Sequence, residues 1–348
     1  MLLKHARVTG DSESLEAGLK GLTFMENFKV PRGAQTWECP LHAPDLLAAA
    51  HAVAAYVEAY EVTRERRYLD EAEQWAKAGL PFLYHWHLPD RPGMRFGSIP
   101  VFGTTFYTHP WFGVPVQWNG LVYAYALQHL ARHTSEAQSQ LWSKVAEGIT
   151  ISAMYQQWTE GDLKGTYPDG FYGFCTEGRG PHINPEDIMV NLYTLRGFDP
   201  DISTEICRVD GNRIHVSAGA KINGLDRDDS DRLTFTLRYV QNETSYCIIA
   251  GYGSRFGATE SSAKQAPAAI RTGSGELPLV DNLSTTESGW LYREDEDIIF
   301  IKYKHSAEAT NFEVSPPAKV ELAQEEIEAD TASENRTADI AESEPNPE

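Results

Sequence analysis

A helix–turn–helix unit recurs along residues 2–158, and this repeat constrains the fold more than any other feature of the chain. Residues 2–28 and 54–83 each have the pattern of a helix end, a short turn and a second helix. Superposing residues 8–11 on residues 62–65 places Leu15 on Leu69, with an acidic residue after each. A looser copy covers residues 121–158. Because one such unit cannot bury its own apolar face, the units are expected to stack into a helical layer.

The helical layer is expected to occupy residues 1–198. Helical spacing is found over residues 46–60, 68–84, 121–132 and 141–158. Asp45 supplies negative charge at the start of the first of these, where the helix dipole favours it. Asn184, Pro185 and two acidic residues predict one last helix that ends near Arg196.

Short and long connections alternate along this layer. Turns of four or five residues are expected within a unit, whereas the links between units span residues 29–44, 85–116 and 159–184. Loops of that length within a compact domain are usually functional. Alternation of this kind places all the long links on one face, where they can build a cleft.

The residue pattern changes from helical spacing to short β-rich runs after residue 198. Short β-rich runs occupy residues 213–218, 232–240, 245–250, 289–293 and 297–304, with turn residues between them. Strands without intervening helices predict an antiparallel β-sandwich over residues 199–316. Residues 317–348 are acidic and poor in aromatic residues, so we expect a disordered tail. The predicted fold class is α+β and multidomain.

Charge and cysteine content narrow the function classes. The net charge is −20, and residues 321–348 alone hold ten acidic residues and one Arg, which leaves −11 for the rest. A mildly acidic surface argues against nucleic-acid or anionic-membrane partners, since both need basic patches. The four cysteines are widely spaced and favour unlinked thiols, although one or two disulfides stay open. No apolar run approaches a membrane span, and Met1 leads directly into a helix rather than a signal peptide.

Helical hairpins, aromatic loops at one end and a trailing β-sandwich resemble the six-hairpin (α/α) toroid carbohydrate enzymes. The stretches 35–45 and 109–120, QTWECPLHAPD and HPWFGVPVQWNG, look like toroid loops that line a substrate cleft. The superfamily includes glycoside hydrolases and polysaccharide lyases. This chain offers about half the helices of a closed toroid, and its first unit begins at its own turn. We therefore expect a partial toroid that lacks its N-terminal hairpins, belonging to a parent enzyme that is secreted or periplasmic. An oligomer that completes the open half is the expected protein partner.

Glycoside hydrolysis needs one protonated and one ionised carboxyl group. Glu38, between Trp37 and Cys39, is the acid least explained by local structure, and Asp169 lies in another long link. Glu38 with Asp169 is therefore the predicted catalytic pair, with His42 and His109 as further catalytic candidates. For Asp169, which precedes Gly170, ordinary turn chemistry is the competing interpretation.

Uronate elimination by a lyase is the alternative chemistry. It needs a Tyr or His base and a group that neutralises the carboxylate. Residues of these types in or beside the first two long links are His42, Arg95, Tyr107, His109 and Asn119. Aromatic rings suit the C–H faces of sugars. The predicted substrate-binding residues are Trp37, Arg95, Tyr107, Trp111, Trp118, Asn119 and Tyr167.

No metal or cofactor is predicted. His85 and His87 lack a third ligand, and residues 226–231 fit a solvated turn better than a calcium loop. Two non-hydrolytic classes stay open: a sugar-binding remnant without activity, and terpenoid chemistry. The polar residues of the long links argue against terpenoid chemistry.

Overall fold

The computed structural model describes residues 1–32, 44–100, 115–172, 177–198, 201–209, 211–256 and 264–317. These residues form seven α-helices followed by two five-stranded antiparallel sheets, so the predicted α+β class is confirmed. The domain boundaries at residues 198 and 316 stay predictions. No helix in the described ranges is long and apolar enough to span a bilayer.

Six of the helices form three consecutive hairpins. The helices are α1 (Leu2–Thr9), α2 (Ser12–Met25), α3 (Leu46–Thr63), α4 (Arg66–Gly79), α5 (Gln117–Ala131), α6 (Glu136–Tyr155) and α7 (Glu186–Leu195). The three hairpins are the helix pairs α1–α2, α3–α4 and α5–α6, in which each helix packs on its partner. α3 and α5 also pack on each other. Burial of α3 and α5 on nearly all sides agrees with their low amphipathicity, since both lie between other helices.

The internal repeat holds at the level of backbone conformation. Gly10 caps the C-terminus of α1, and Arg64 caps that of α3. Both residues adopt the left-handed conformation, with φ of 75° and 63°. Asp11 and Glu65 then begin the second helix of each unit. Each of these turns has two residues rather than the expected four or five, because the left-handed residue is followed directly by the N-cap of the next helix. The third hairpin uses residues 132–135 instead.

The helices begin where the sequence predicts, except that the start of α7 is shifted by one residue. Asp45 accepts a hydrogen bond from the backbone N–H of Ala48 at 2.7 Å, as expected for an N-cap. At α7 it is Pro185 that occupies the N-cap position, and Asn184 lies outside the helix. Glu186 and Asp187 are the acidic residues of its first turn.

The link between α6 and α7 contains a β-hairpin that the sequence pattern does not predict. β1 (Tyr167–Tyr172) pairs antiparallel with β2 (Glu177–Ile183), and the register shifts between Pro168 and Gly170. Pro168 and the Asp169-Gly170 pair favour a turn by local propensity. The shift is a β-bulge whose extra residue lies in β2, and the three residues stay within β1.

Two sheets form the β-sandwich. The first runs in the order β10 (Gly289–Arg293), β11 (Ile298–Lys304), β7 (Thr244–Ala250), β4 (Asn212–Ala218) and β3 (Ser203–Val209). The second runs in the order β5 (Lys221–Arg227), β6 (Leu233–Arg238), β12 (Ala309–Ser315), β8 (Ala269–Thr272) and β9 (Gly275–Glu276). Their inner faces share one core, in which Tyr303 of the first sheet packs edge-to-face on Phe312 of the second.

Helices and sandwich meet at a charged junction around Arg7, which is 6% exposed. Arg7 Nε lies 2.5 Å from Glu58 Oε2 and 3.1 Å from Glu61 Oε2. From the sandwich, His215 Nδ1 lies 2.6 Å from the carbonyl oxygen of Arg7, and Ser217 donates to the carbonyl of Val8. Arg208 donates to the carbonyls of Glu61 and Val62 at the end of α3. The sandwich therefore satisfies backbone groups at two helix C-termini.

Candidate active site

The described parts of the long links meet at one end of the helical layer. Leu46 N–H at the start of α3 donates to Pro100 of the second link at 2.9 Å. Val116 N–H, just before α5, donates to Ser98 of the same link at 2.8 Å. The third link reaches this end through the β-hairpin, which contacts α5. The arrangement expected from the alternating connections is thus present in the described residues.

Asp169 and Trp118 are the predicted site residues that the fold brings into direct contact. Trp118 lies in the first turn of α5, and its indole Nε1–H donates to Asp169 Oδ1 at 2.9 Å. β1 places Asp169 in this position, where it stands opposite two residues of β2 because the register shifts there. The turn interpretation of Asp169 is therefore wrong. Both side chains are half-buried, so water retains some access to the carboxyl group.

The electrostatic environment of Asp169 favours its protonated form. Burial raises the pKa of Asp169 above its ordinary value, and the hydrogen bond from Trp118 lowers it by less. Asp169 forms no salt bridge with any residue in the described ranges, so no cation offsets the desolvation.

Tyr167 of β1 and Asp187 of α7 form a second polar pair. Tyr167 is fully buried, and its hydroxyl donates to Asp187 Oδ2 at 3.4 Å. Burial raises the pKa of Asp187, and burial followed by the nearby acids raises that of Tyr167. Sequence reasoning missed Asp187 as a site residue because an acid in the first turn of a helix is explained by the helix dipole alone.

A buried carboxamide fixes the start of α5, where Trp118 lies. Gln117 Nε2 donates to the carbonyls of Phe96 and Ile149 at 3.2 and 2.9 Å. Its Oε1 accepts from the backbone of Ser98 and from Gln156, each at 3.0 Å. Gln117 thus links the second long link to α5 and α6, a role without a local sequence signal.

The remaining predicted binding residues in the described ranges are placed differently. Asn119 is fully buried on α5. Arg95 is exposed, and its guanidinium lies 5.5 Å from the ring centre of Phe96 rather than against Asp169. The candidates that lie outside the described residues are Trp37, Glu38, His42, Tyr107, His109 and Trp111. The Glu38–Asp169 pair therefore stays a prediction.

No cluster of three or more potential metal ligands occurs within the described ranges. His85 and His87 lie within 3.1 and 2.9 Å of backbone carbonyl oxygens. The acidic turn between β5 and β6 is bound internally, since Asp228 accepts from the backbone of Ser230 and Arg232. Cys247 is a free, buried thiol, whereas Cys39 and Cys175 lie outside the described residues.

Comparison with known proteins finds similarity in solved structures only. No family model matches the sequence, and no curated protein is significantly similar to it. Similar structures include an unsaturated glucuronyl hydrolase of Bacillus sp. GL1, at 12% identity and a TM-score of 0.31 over 44% of this chain and 39% of that chain. A polysaccharide lyase has 9% identity and a TM-score of 0.41 over 56% of this chain and 51% of that chain. A sugar epimerase from a ruminal bacterium has 14% identity and a TM-score of 0.42 over 56% and 52%.

These three are six-hairpin toroid enzymes. The chain spans 39 to 52% of their length. Because each TM-score is below 0.5, the functional argument rests on the side chains of this chain alone.

Proposed function

We propose that the protein is a carbohydrate-active enzyme that hydrolyses glycosidic bonds of an oligo- or polysaccharide, with Asp169 as the general acid. The observation that carries this proposal is the half-buried Asp169 carboxyl group, held by Trp118 where the long links meet. A glycosidase acid must be protonated when substrate binds, and burial is the usual means of keeping it so.

Trp118 gives this acid a fixed position. An indole N–H can only donate, so it binds one oxygen of Asp169 and leaves the other for a leaving group. The aromatic ring beside the carboxyl group also offers an apolar face to a sugar. Glu38 is the proposed second carboxyl group, as the sequence predicts.

The hydrogen bond and the raised pKa of Tyr167 favour hydrolysis over elimination. A lyase base must accept a proton, whereas the Tyr167 hydroxyl donates to Asp187, and burial raises the pKa of Tyr167 further. Tyr167 is thus placed as a donor and not as a proton acceptor, while the predicted base candidates His42, Tyr107 and His109 lie outside the described residues.

The proposal is tested with Asp169→Asn on a panel of neutral and uronate-containing oligosaccharides. We expect kcat for reducing-sugar release to fall by about 100-fold or more, the range for loss of a general acid. Asp162→Asn is the matched control, since Asp162 is an exposed acid of the same link. Circular dichroism of both variants checks that the fold is unchanged.

Three results would contradict the proposal. Full activity of Asp169→Asn would remove the assigned acid. Release of a product with the ultraviolet absorbance of an unsaturated uronate would show elimination instead. Binding of oligosaccharides without any turnover would identify a non-catalytic binding protein.

A further inference from the structure

The first turn of α5 is tied to the rest of the protein by buried side chains. Val116 occupies the N-cap position without a side-chain hydrogen bond of its own. Ser98 Oγ donates to the carbonyl of Val116 at 3.0 Å, and the Ser98 carbonyl accepts from the Val116 N–H. Gln117, the first residue of the helix, is fully buried and uses all four hydrogen-bonding positions of its amide. The placement of the next residue, Trp118, therefore depends on this amide.

Gln156, at the end of α6, extends the tie. Its Nε2 donates to Gln117 Oε1 at 3.0 Å and to Ser152 Oγ at 3.3 Å. Ser152 Oγ already donates to the carbonyl of Gly93 at 2.6 Å, so it can only accept from Gln156. These contacts fix the orientation of the Gln156 amide and leave its buried Oε1 without a partner in the described part of the chain. An unpaired buried oxygen costs stability, and an apolar residue at this position would avoid that cost.

Phe96, which accepts from Gln117 Nε2, has a strained backbone. Its φ is 63°, in the left-handed region that bulky residues rarely adopt. Its N–H donates to the carbonyl of Tyr84 at 2.7 Å, and a Cβ on Gly148 of α6 would overlap its ring. Backbone strain and unpaired buried polar atoms are typical of structure that supports a functional site. Both features occur on groups that bind Gln117, directly before Trp118.

Gln117 and Gln156, the glutamine pair, act on Asp169 through Trp118. Indole Nε1 lies 2.9 Å from Asp169 Oδ1, and a hydrogen bond weakens steeply when its angle departs from linearity. Gln117 makes its hydrogen bonds to the second link and α6, whereas Trp118 reaches the β-hairpin. Loss of the Gln117 amide would leave α5 packed on α3 and α6 but would loosen the turn that aims the indole.

We propose that the glutamine pair holds the Trp118 indole against Asp169, so that the second long link and α6 set the geometry of the general acid. The consequence for catalysis rests on the proposed function of Asp169. Both glutamines are buried, so they are positioning residues and not catalytic ones.

The first test needs no substrate. It follows the ¹⁵N-labelled indole N–H resonance of Trp118 in the full chain through a pH titration. Trp118→Phe identifies the resonance, and Asp169→Asn removes its pH-dependent step. In Gln117→Met we expect that step to be lost, because the indole no longer donates to the carboxyl group.

Gln156→Met is the second variant, since it leaves the bond from Ser98 to Gln117 and also removes the unpaired Oε1. It should fold even where Gln117→Met does not, and it should reduce the pH-dependent step. Gln140→Met is the matched control, because Gln140 is an exposed glutamine of α6, and it should leave the resonance unchanged.

The second test is kinetic. Gln117→Met should lower kcat by up to about 100-fold, the range for a small misplacement of a catalytic group. It should also move the alkaline limb of kcat/KM upward, as Trp118→Phe does, and the double variant should move it no further. A merely structural role would lower thermal stability and leave the limb in place.

An indole titration that is the same in wild type, Gln117→Met and Gln156→Met would overturn the proposal. So would a change of equal size in Gln140→Met. A wild-type chain without hydrolytic activity would contradict the proposed function alone, because the indole titration still decides whether the glutamine pair positions Trp118.

Discussion

Glu61 and Asp169 are both partly buried carboxyl groups, but they lie at opposite ends of the helical layer and in opposite surroundings. Glu61 is held by Arg7 at 3.1 Å and by His133 at 3.0 Å. Burial alone would raise the pKa of Glu61, yet these partners lower it to about 2. Asp169 has the Trp118 indole but no salt bridge in the described ranges, and its pKa is raised.

The difference separates a charge that supports the fold from one that is available for chemistry. At the junction, Arg7 of α1 pairs with Glu58 and Glu61 of α3 and with Asp201 at the start of the sandwich. The pKa values of Glu61 and Asp201 are lowered, whereas burial outweighs Arg7 at Glu58 and raises its pKa. At the other end, a carboxyl group remains partly desolvated and unneutralised. Perturbed groups of the second kind are enriched at functional sites.

The largest effect is expected for Arg7→Met. The change leaves Glu58, Glu61 and Asp201 without their shared cation, so we expect a loss of about 3–5 kcal/mol in the free energy of unfolding. Urea denaturation measures it. Arg66→Met is the control, because the Arg66–Asp70 pair is exposed and is worth less than about 1 kcal/mol. Equal losses in the two variants would contradict the role assigned to the junction.

Acid should unfold the protein partly through Glu61. Its pKa in the folded state, about 2, is lower than its ordinary value of 4.5, so its contribution is present above pH 4.5 and is lost as the pH falls toward 2. The contribution is about 3 kcal/mol. In Glu61→Gln this part of the pH dependence should disappear from unfolding curves. Arg7 and His133 are the charged groups that contact Glu61. If the pH dependence of the free energy of unfolding is the same in Glu61→Gln, another carboxylate causes the acid unfolding.

A smaller change in stability is expected where Gly79, at the end of α4, packs closely against Tyr123. A Cβ on Gly79 would lie 2.6 Å from the ring of the buried Tyr123, so Gly79→Ala should destabilise the fold by about 1–3 kcal/mol. Gly21→Ala is the matched variant, since nothing lies within 4 Å of its Cβ position. It should stabilise α2 by about 0.5–1 kcal/mol. Thermal unfolding distinguishes them, and a stabilising Gly79→Ala would show that the packing is loose.

The smallest effect concerns the pH profile at Asp169. Its hydrogen bond from Trp118 favours the carboxylate, so Trp118→Phe should raise the pKa of Asp169 and move the alkaline limb of kcat/KM upward by about one unit or less. Trp86→Phe changes an exposed tryptophan and should leave the profile in place. An alkaline limb that moves downward would mean that another group titrates.

Local sequence signals account for the helical hairpins. The repeat located the left-handed residues Gly10 and Arg64, and Asp45 was recognisable as a cap because capping depends on neighbours in sequence. All five predicted strand runs form strands. The sandwich strands that were missed are β3, β5, β8, β9 and β12. Much of β3 and β5 is only partly buried, which weakens alternation, and β8 and β9 are short. The residues of β12 do alternate in burial, so that strand could have been recognised.

The candidate site was predictable only in its parts. Trp118 and Asp169 could be named as residues, but their contact depends on a bulge that local propensity opposes. Arg7 had no signal at all, because its partners lie 51 to 194 residues away. Such long-range pairs are set by tertiary packing.

The hydrogen bonds from His215 and Ser217 to the end of α1 have a consequence for biosynthesis. α1 has eight residues, too few for a stable helix in water, and its C-terminal carbonyls are met by a strand more than 200 residues later. During synthesis α1 must therefore wait for a strand that is made about 200 residues later. Nascent chains that stop before β4 should leave residues 2–9 open to proteases, and chains that extend through β12 should protect them.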